Sequence, residues 1–198
     1  MGKVITQASM SLDGYIADPE DRTGPLFDWL CLGDVEVVGR EPDWVFDLTP
    51  ASAEYLKGVF AGTAVMIIGR RLFDLTNGWG GRPPVADHVF VITHHPPEDW
   101  PYLDAPFTFV TDGLAGAVAR AKVLAGDRDV AVGAGSLAGQ ALREGLIDEV
   151  LVDLVPVIIG SGIPFFSGFH ATPVTLDDPV VIPSDRVTHL RFRVSSPM

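Results

Sequence analysis

The sequence has few cysteines and no obvious export signal. Cys31 is the only cysteine in 198 residues, which excludes an intrachain disulfide framework and a cysteine-rich zinc site. Chains with this cysteine content usually work in reducing compartments, and the N-terminal residues carry no apolar signal core. We therefore expect a cytoplasmic protein. Since Cys31 lies between Leu30 and Leu32, we expect its side chain to be buried rather than to act as a nucleophile.

Basic residues are also scarce. The chain has 14 Lys and Arg against 26 Asp and Glu, which gives a formal net charge of -12. An acidic surface repels phosphate backbones and anionic lipids, so neither nucleic acid nor membrane is an expected partner. No apolar run approaches the roughly 20 residues of a membrane span. Because hydrophobic residues make up 47% of the chain, we expect a sizeable core, in one domain spanning residues 1–198.

Strand and helix patterns alternate through the first three quarters of the chain. They predict strands over residues 3–10, 64–68, 88–93, 129–132 and 149–155, and helices over residues 50–60, 70–75, 114–125 and 136–145. Residues 174–182 and 187–194 are strand-like with no helix between them. This order predicts an α/β fold with a mixed, mostly parallel sheet, helices on both faces and antiparallel C-terminal strands. Residues 18–50 predict a long ordered loop with a short helix near residues 27–32.

A glycine turn joins one predicted strand to the next helix at residues 133–136, Gly-Ala-Gly-Ser. Glycine lets a phosphate approach the backbone, and a helix N-terminus offers unpaired N–H groups. The spacing Gly133-x-Gly135-x-x-Ala138, with Asp153 at the distance of a ribose contact, also fits a dinucleotide fingerprint. A Rossmann dehydrogenase that uses NAD therefore stays open. So does an ordinary strand–helix turn that needs glycine only for packing.

Six segments carry a family resemblance. They are residues 11–17 (Ser-Leu-Asp-Gly-Tyr-Ile-Ala), 27–30 (Phe-Asp-Trp-Leu), 66–70 (Met-Ile-Ile-Gly-Arg), 91–94 (Val-Ile-Thr-His), 133–137 (Gly-Ala-Gly-Ser-Leu), and 146–150 (Leu-Ile-Asp-Glu-Val), which runs into 156–162 (Pro-Val-Ile-Ile-Gly-Ser-Gly). In this order they resemble the dihydrofolate-reductase-like superfamily, and most closely the branch with the riboflavin-biosynthesis reductase domain and its small bacterial relatives. The resemblance implies a three-layer α/β fold, NADPH as cofactor and a homodimer.

The resemblance also implies which residues bind the cofactor. The glycine turn would take the diphosphate, and the strand ends near residues 69–71 and 93–94 would contact the other phosphates. The implied cofactor-binding residues are Ala8, Ile16, Ala17, Gly69, Arg70, Arg71, Thr93, His94, Gly133, Ala134, Gly135, Ser136 and Leu137. Relatives often have a third glycine where Ala134 stands. From composition alone, Arg70 and Arg71 would be a solvated helix face and His94 part of a polar loop; no metal site is expected.

The candidate proton donor is Asp28. Hydride transfer to a C=N or C=O bond leaves negative charge that a proton must neutralise, and Phe27 and Trp29 would enclose Asp28 in an apolar pocket. Trp29 and Asp13 are the candidate substrate-binding residues, since the riboflavin branch has the Asp13 motif near its substrate. Alternatively, Asp28 is a helix cap, and Asp13, which precedes Gly14, is a turn residue.

These features predict an NADPH-dependent reductase of a small heterocyclic substrate, pterin or pyrimidine-like, or of a carbonyl substrate. A nucleotide-binding protein of the same fold that has lost catalysis and acts in sensing or assembly is the alternative. The apolar residues 150–159 and the C-terminal strands are candidate material for a dimer interface.

Overall fold

The computed structural model describes residues 2–170 and 173–195. Its strands are β1 (Val4–Ser11), β2 (Tyr15–Ala17), β3 (Val35–Val38), β4 (Val45–Leu48), β5 (Thr63–Gly69), β6 (His88–Ile92), β7 (Phe107–Val110), β8 (Asp129–Gly133), β9 (Glu149–Val155), β10 (Ile163–Pro164), β11 (Val180–Ser184) and β12 (Val187–Arg193). Its α-helices are α1 (Pro50–Gly62), α2 (Arg70–Thr76), α3 (Leu114–Ala125) and α4 (Ser136–Arg143). Two 3₁₀ segments cover Gly24–Leu30 and Asn77–Gly81.

One eight-stranded sheet organises the fold, in the order β11-β12-β9-β1-β8-β5-β6-β7. The six strands from β9 to β7 pair in parallel, whereas β12 is antiparallel to β9 and β11 is antiparallel to β12. The mixed, mostly parallel sheet with antiparallel C-terminal strands is therefore confirmed. From β1 the chain moves out to β5, β6 and β7, then returns to insert β8 beside β1. The order of strands thus reverses at β1 and β8, which is where open α/β sheets bind ligands.

Helices cover both faces of this sheet. In β5, Val65 and Ile67 pack into the same core cluster as α3, whereas Ile68 packs into a different cluster with Phe73 of α2. Neighbouring residues of a strand point to opposite faces, so α2 lies on the face opposite α3. Helix α4 contributes Leu137 to the α3 cluster, and α1 packs with the 3₁₀ segment in a third cluster. The three-layer α/β architecture is confirmed.

Helix α1 starts where the sequence predicts it. Thr49 is the N-cap, and its side chain accepts a hydrogen bond from Ser52 N at 3.3 Å. Pro50 occupies the first turn, where its missing N–H costs nothing. The helix ends at Gly62, and the next residue, Thr63, already begins β5. None of the helices within the described residues is both long and apolar enough to cross a bilayer.

The segment 18–50 contains more secondary structure than predicted. It contains the 3₁₀ segment and a hairpin of β3 and β4, whose Val37 and Leu48 are buried. The two strands have four residues each, and Val38 and Val45 are exposed, so the sequence lacks the alternation that marks a half-buried strand. Cys31, next to the hairpin, is exposed rather than buried.

A further strand was missed, and one strand prediction needs correction. β7 was not predicted, because it is only four residues long and follows a proline-rich segment. Residues 174–182 are not one strand: β11 begins only at Val180, and Leu176 forms an isolated bridge with Val194. By contrast, the predicted alternation in β12 is present, since Leu190 is partly buried and Arg191 is exposed.

Candidate active site

The carboxyl ends of three parallel strands bring most of the predicted cofactor residues together. β5 ends at Gly69, β6 at Ile92 and β8 at Gly133, and these strands are close neighbours in the sheet. A Cβ atom placed on Gly69 would lie 3.8 Å from Leu137 Cδ1. The strand end at Gly69 and the segment 133–137 therefore lie about one methyl group apart, although 64 residues or more separate them in sequence.

The glycine turn has the backbone geometry that its sequence suggests. Gly135 has φ +83°, which favours glycine, and its N–H donates to Phe165 O at 2.8 Å. Ala134 is not among the described residues with positive φ, so its Cβ introduces no backbone strain there. Helix α4 begins at Ser136, whose side chain is exposed. The turn thus offers unpaired N–H groups at the start of an eight-residue helix.

The predicted nicotinamide side lies next to this turn. Ile16 Cδ1 would be 3.8 Å from a Cβ atom on Gly135, so β2 lies against the turn. Ala17 of β2 is buried and pairs with Ile163 of β10. Ala8 follows Gln7, which pairs with Gly133 at the turn, and both Ala8 and Ile16 pack against the cluster on the α3 and α4 face of the sheet. The structure thus brings Ala8, Ile16 and Ala17 to the glycine turn.

Arg70 joins α2 to the end of β6. Its Nε donates to Asp74 Oδ1 at 2.7 Å, and its Nη1 donates to the carbonyl oxygen of His95. Thr93 is buried, and its hydroxyl donates to the same carbonyl at 3.0 Å. His94 is exposed in this turn. Arg70, Thr93 and His94 therefore share one strand end, but the guanidinium of Arg70 already has an anionic partner.

Arg71 is also neutralised by an acidic residue. Its Nε lies 2.9 Å from Asp21 Oδ1 and its Nη2 lies 2.5 Å from Asp21 Oδ2. This bidentate pairing with Asp21 raises the pKa of Arg71 above its usual range. The pair ties the start of α2 to the loop that follows β2. A cofactor phosphate would meet Arg71 only after this ion pair opens.

The apolar pocket predicted around Asp28 is not formed. In the 3₁₀ segment, Phe27 and Asp28 are exposed, while Trp29 is buried with 3% exposure. Trp29 Nε1 donates to Ser9 Oγ at 3.1 Å, and its indole ring packs edge-on against the ring of His189. Trp29 therefore anchors the 3₁₀ segment to the sheet. Asp28 is also not a helix cap, because it lies inside the segment and Thr23 is the N-cap.

Asp13 holds two turns together. Its Oδ1 accepts from Ile159 N at 3.1 Å and its Oδ2 accepts from Gly160 N at 2.7 Å. A hydrogen bond with the Ser11 side chain, together with these backbone N–H groups, lowers the pKa of Asp13 below its usual range. Both carboxylate oxygens thus have protein partners in the loop that follows β9.

A buried polar chain between the sheet and α1 was not predicted. Ser52 Oγ lies 2.9 Å from His189 Nε2, and His189 Nδ1 lies 2.7 Å from Asp153 Oδ1. These are the contacts of a hydrolytic triad, but Ser52 is 1% exposed and its Oγ also lies 2.8 Å from Ser184 Oγ. A substrate cannot reach this hydroxyl. Asp153 is likewise enclosed, so the predicted ribose contact of the Rossmann interpretation is wrong.

Gln7 and Tyr55 continue this chain towards the surface. Gln7 Nε2 lies 3.1 Å from Tyr55 Oη and 3.2 Å from Asp153 Oδ2, and the Tyr55 ring stacks on His189 with centroids 4.0 Å apart. Burial, and then the nearby Asp153 carboxylate, raise the pKa of Tyr55, so its hydroxyl stays protonated. The sequence signal for this cluster is a set of polar residues inside otherwise apolar strands.

Two surface cavities flank the sheet. A groove of about 520 Å³ lies on the α1 face and is lined by residues that include Ile5, Tyr55, Leu151 and Arg191. A cavity of about 640 Å³ lies at the amino ends of β1 and β9, with Lys3 and Glu149 in its wall. This second cavity is at the sheet edge opposite the glycine turn, so it does not belong to the candidate cofactor site.

Comparison with known proteins identifies similar sequences and similar folds. Residues 2–185 match the sequence model of a family described as the RibD C-terminal domain. The chain is 24% identical, over 164 residues, to the Bacillus subtilis (strain 168) protein YwjB, described as uncharacterized, and the match covers 83% of this chain and 82% of YwjB.

Solved structures share the fold. A crystal structure of a riboflavin biosynthesis protein from Shewanella sp. PV-4, described there as putative, superposes with a TM-score of 0.68 at 22% identity, covering 98% of this chain and 99% of that one. Dihydrofolate reductase from Enterococcus faecalis, solved in complex with NADP(H), has a TM-score of 0.58 at 14% identity, with 98% of each chain covered.

Proposed function

Since the chain belongs to the family of the RibD C-terminal domain, we propose that it is an NADPH-dependent reductase. It transfers a hydride to a small heterocyclic substrate, pterin or pyrimidine-like, or to a carbonyl substrate. The observation that carries this proposal is the proximity of the strand end at Gly69 to the glycine turn that follows β8, one of the two strands at which strand order reverses. The complex of the Enterococcus reductase with NADP(H) supports the choice of cofactor.

The residues around the glycine turn fit a dinucleotide. Gly69 has no side chain between its backbone and the turn, and a Cβ atom there would reach only as far as Leu137. The exposed Ser136 and the N–H groups that open α4 are donors for a diphosphate. Arg70 is a cation at the end of β6, since its guanidinium donates to the carbonyl oxygen of His95. Ile16, which is partly exposed, and its buried neighbour Ala17 would border the nicotinamide, which supplies the hydride when bound.

The chain's own contribution to the chemistry is to exclude water and to provide a proton. Phe165 is buried behind the turn, where its carbonyl oxygen accepts a hydrogen bond from Gly135 N, and this limits the access of water from that side. Asp28 stays the predicted proton source. Because its carboxyl is exposed, it would act through a water molecule rather than from an apolar pocket.

Titration of the protein with NADPH and with NADH tests the proposal, with tryptophan fluorescence as the signal. We expect NADPH to bind. If Arg70 contacts the extra phosphate, Arg70→Ala should lower the affinity for NADPH more than the affinity for NADH. Arg120→Ala is the matched control. Arg120 lies on α3, on the opposite face of the sheet from α2, and its guanidinium is paired with Asp112. If neither nucleotide binds, the reductase and the nucleotide-binding alternative both fail.

A nucleotide-binding protein without catalysis is the second candidate, and the exposure of Asp28 favours it. Tight NADPH binding with no oxidation in the presence of pterins, flavin precursors or quinones would support it over a reductase. We also propose a single domain over residues 1–198, a homodimer and a cytoplasmic location. Chromatography coupled to light scattering measures the oligomeric state directly.

A further inference from the structure

The orientation of the Gln7 side chain is fixed by its neighbours. A carboxylate only accepts hydrogen bonds, so the Gln7 atom that lies 3.2 Å from Asp153 Oδ2 is the amide nitrogen. Its second hydrogen points to Tyr55 Oη at 3.1 Å. Asp153 is held in turn by His189, and His189 by Ser52. Both donors of the amide are therefore occupied, and the amide cannot rotate without breaking two hydrogen bonds.

The remaining polar atom of Gln7 is an exposed acceptor. Within residues 2–170 and 173–195, Gln7 Oε1 has no hydrogen-bond partner, and the buried side-chain atoms without partners are Thr6 Oγ1 and Trp100 Nε1. Gln7 itself is partly exposed. Its Oε1 is thus accessible to a ligand, and it presents only lone pairs because the nitrogen is engaged on the other side.

This acceptor lies beside the glycine turn. In the parallel pairing of β1 and β8, Gln7 is opposite Gly133, and neighbouring strands are roughly 4.8 Å apart. The side chain of Gln7 points to the α1 face, where it meets Tyr55. On that face the next strands offer Ala131 and Met66, which are both partly exposed. The pairing of β1 with β8 ends at Gln7 and Gly133, whereas β1 continues to Ser11. A small ring at this strand end would therefore reach both the turn and Gln7, beside the point where β1 and β8 part.

We propose that Gln7 determines substrate specificity by accepting, through Oε1, a hydrogen bond from a ring N–H or amino group of the hydride acceptor. The inference rests on the proposed function and narrows it to substrates that carry such a donor next to the reducible bond. Asp153 is a positioning residue, since it acts on the ligand only through Gln7. A substrate without an N–H would leave the fixed Oε1 desolvated and unpaired, and such a mismatch is costly.

Lumazine and 1,3-dimethyllumazine are suitable probes, because they share a ring system and differ by replacement of both N–H groups with N–CH₃. Their affinities are measured by fluorescence in the presence of saturating NADPH, for the wild-type protein and for Gln7→Met. We expect the wild type to prefer lumazine, and Gln7→Met to reduce that preference by about five- to tenfold. The affinity for dimethyllumazine should change less than twofold.

Two more variants separate a specific role from a structural one. Tyr55→Phe removes the hydroxyl that holds the Gln7 amide but keeps the ring on His189, and it should reduce the preference for lumazine in part. Gln140→Met makes the same substitution on α4, where Gln140 donates to Glu144, and it should leave the preference unchanged. The melting temperature of each variant is measured beside its preference for lumazine. A variant that has lost its fold is thereby distinguished from one that has lost specificity.

The outcomes are distinguishable from failure of the proposed function. Three results would each overturn the role of Gln7. The first is an equal loss of affinity for both probes in Gln7→Met, and the second is no binding of lumazine to the wild type. The third is a Gln7→Met variant that loses affinity for NADPH alone. The last result would mean that Oε1 binds the nicotinamide carboxamide instead. If lumazine discrimination depends on Gln7 while NADPH is never oxidised, the inference holds and the reductase proposal fails.

Discussion

Gly69→Ala separates the proposed cofactor contact from protein stability. Gly69 has φ -82° and is the N-cap of α2, so alanine adopts its backbone conformation without strain. The added Cβ would meet its nearest atom, Leu137 Cδ1, at 3.8 Å, an ordinary van der Waals distance. Replacing an N-cap glycine by alanine costs about 0.5–1 kcal/mol, and the lower entropy of the unfolded chain offsets about 0.4–1 kcal/mol. The free energy of unfolding should therefore change by less than about 1 kcal/mol.

The affinity for NADPH should change much more. In the proposed site, a phosphate lies against the backbone at Gly69, where a methyl group would exclude it and remove at least one backbone donor. A hydrogen bond to a charged group contributes about 1.5–3 kcal/mol, and each 1.4 kcal/mol corresponds to about tenfold in Kd. We therefore expect the dissociation constant to rise by about tenfold to a hundredfold.

Fluorescence titration with NADPH and thermal unfolding are measured on the same preparations. Gly58→Ala is the matched control, because Gly58 lies in α1 with no atom within 4 Å of a built Cβ, and alanine favours the helix there. Its NADPH affinity should equal that of the wild type. A Kd for Gly69→Ala within twofold of the wild type, with the fold intact, would show that no phosphate packs at this strand end.

Three further predictions test the fold. Gly139→Ala should destabilise the protein by about 1–3 kcal/mol in thermal unfolding, because its Cβ would lie 2.2 Å from Ser167 O; unchanged stability would contradict the packing of α4. Leu26→Ala, at a fully buried position, should cost about 2–5 kcal/mol in urea unfolding, and a cost below 1 kcal/mol would contradict its burial. Arg120 lowers the pKa of Asp112 from 3.8 to about 2. Since that pKa is lowered on folding, the pair stabilises the protein above about pH 4 and its contribution is lost as the pH falls towards 2. Arg120→Gln should return the Asp112 pKa towards 3.8 in an NMR titration; no movement would exclude the ion pair.

The fold was largely predictable because long segments carry one clear pattern each. Helix α3 was predicted at its observed bounds, Leu114–Ala125, since apolar residues at helical spacing face the core and Gly126 ends the helix. Short strands were not predictable. β3, β4 and β7 have four residues each, and such strands are fixed by pairing with a partner rather than by their own hydrophobic pattern.

The candidate site was predictable only where the backbone forms it. Glycines such as Gly69 and Gly135, placed just after apolar runs, predict strand ends and turns. The structure brings the segments of these two glycines together. The prediction for Asp28 depended on where neighbouring side chains point, and a 3₁₀ segment buries Trp29 while exposing Asp28. Ion pairs between distant residues, such as Arg71 with Asp21, also have no local sequence signal.

The antiparallel C-terminal strands connect the fold to the specificity proposed for Gln7. β12 adds to the parallel sheet beside β9 and places His189 opposite Asp153. Without β12, Asp153 Oδ1 would lose the histidine that lies 2.7 Å from it, and burying a carboxylate oxygen without a partner is strongly disfavoured. The Trp29 indole also packs edge-on against the His189 ring, so the 3₁₀ segment supports the same polar chain. The two parts of the molecule outside the parallel core therefore act together, since both fix the carboxylate that orients the Gln7 amide next to the glycine turn.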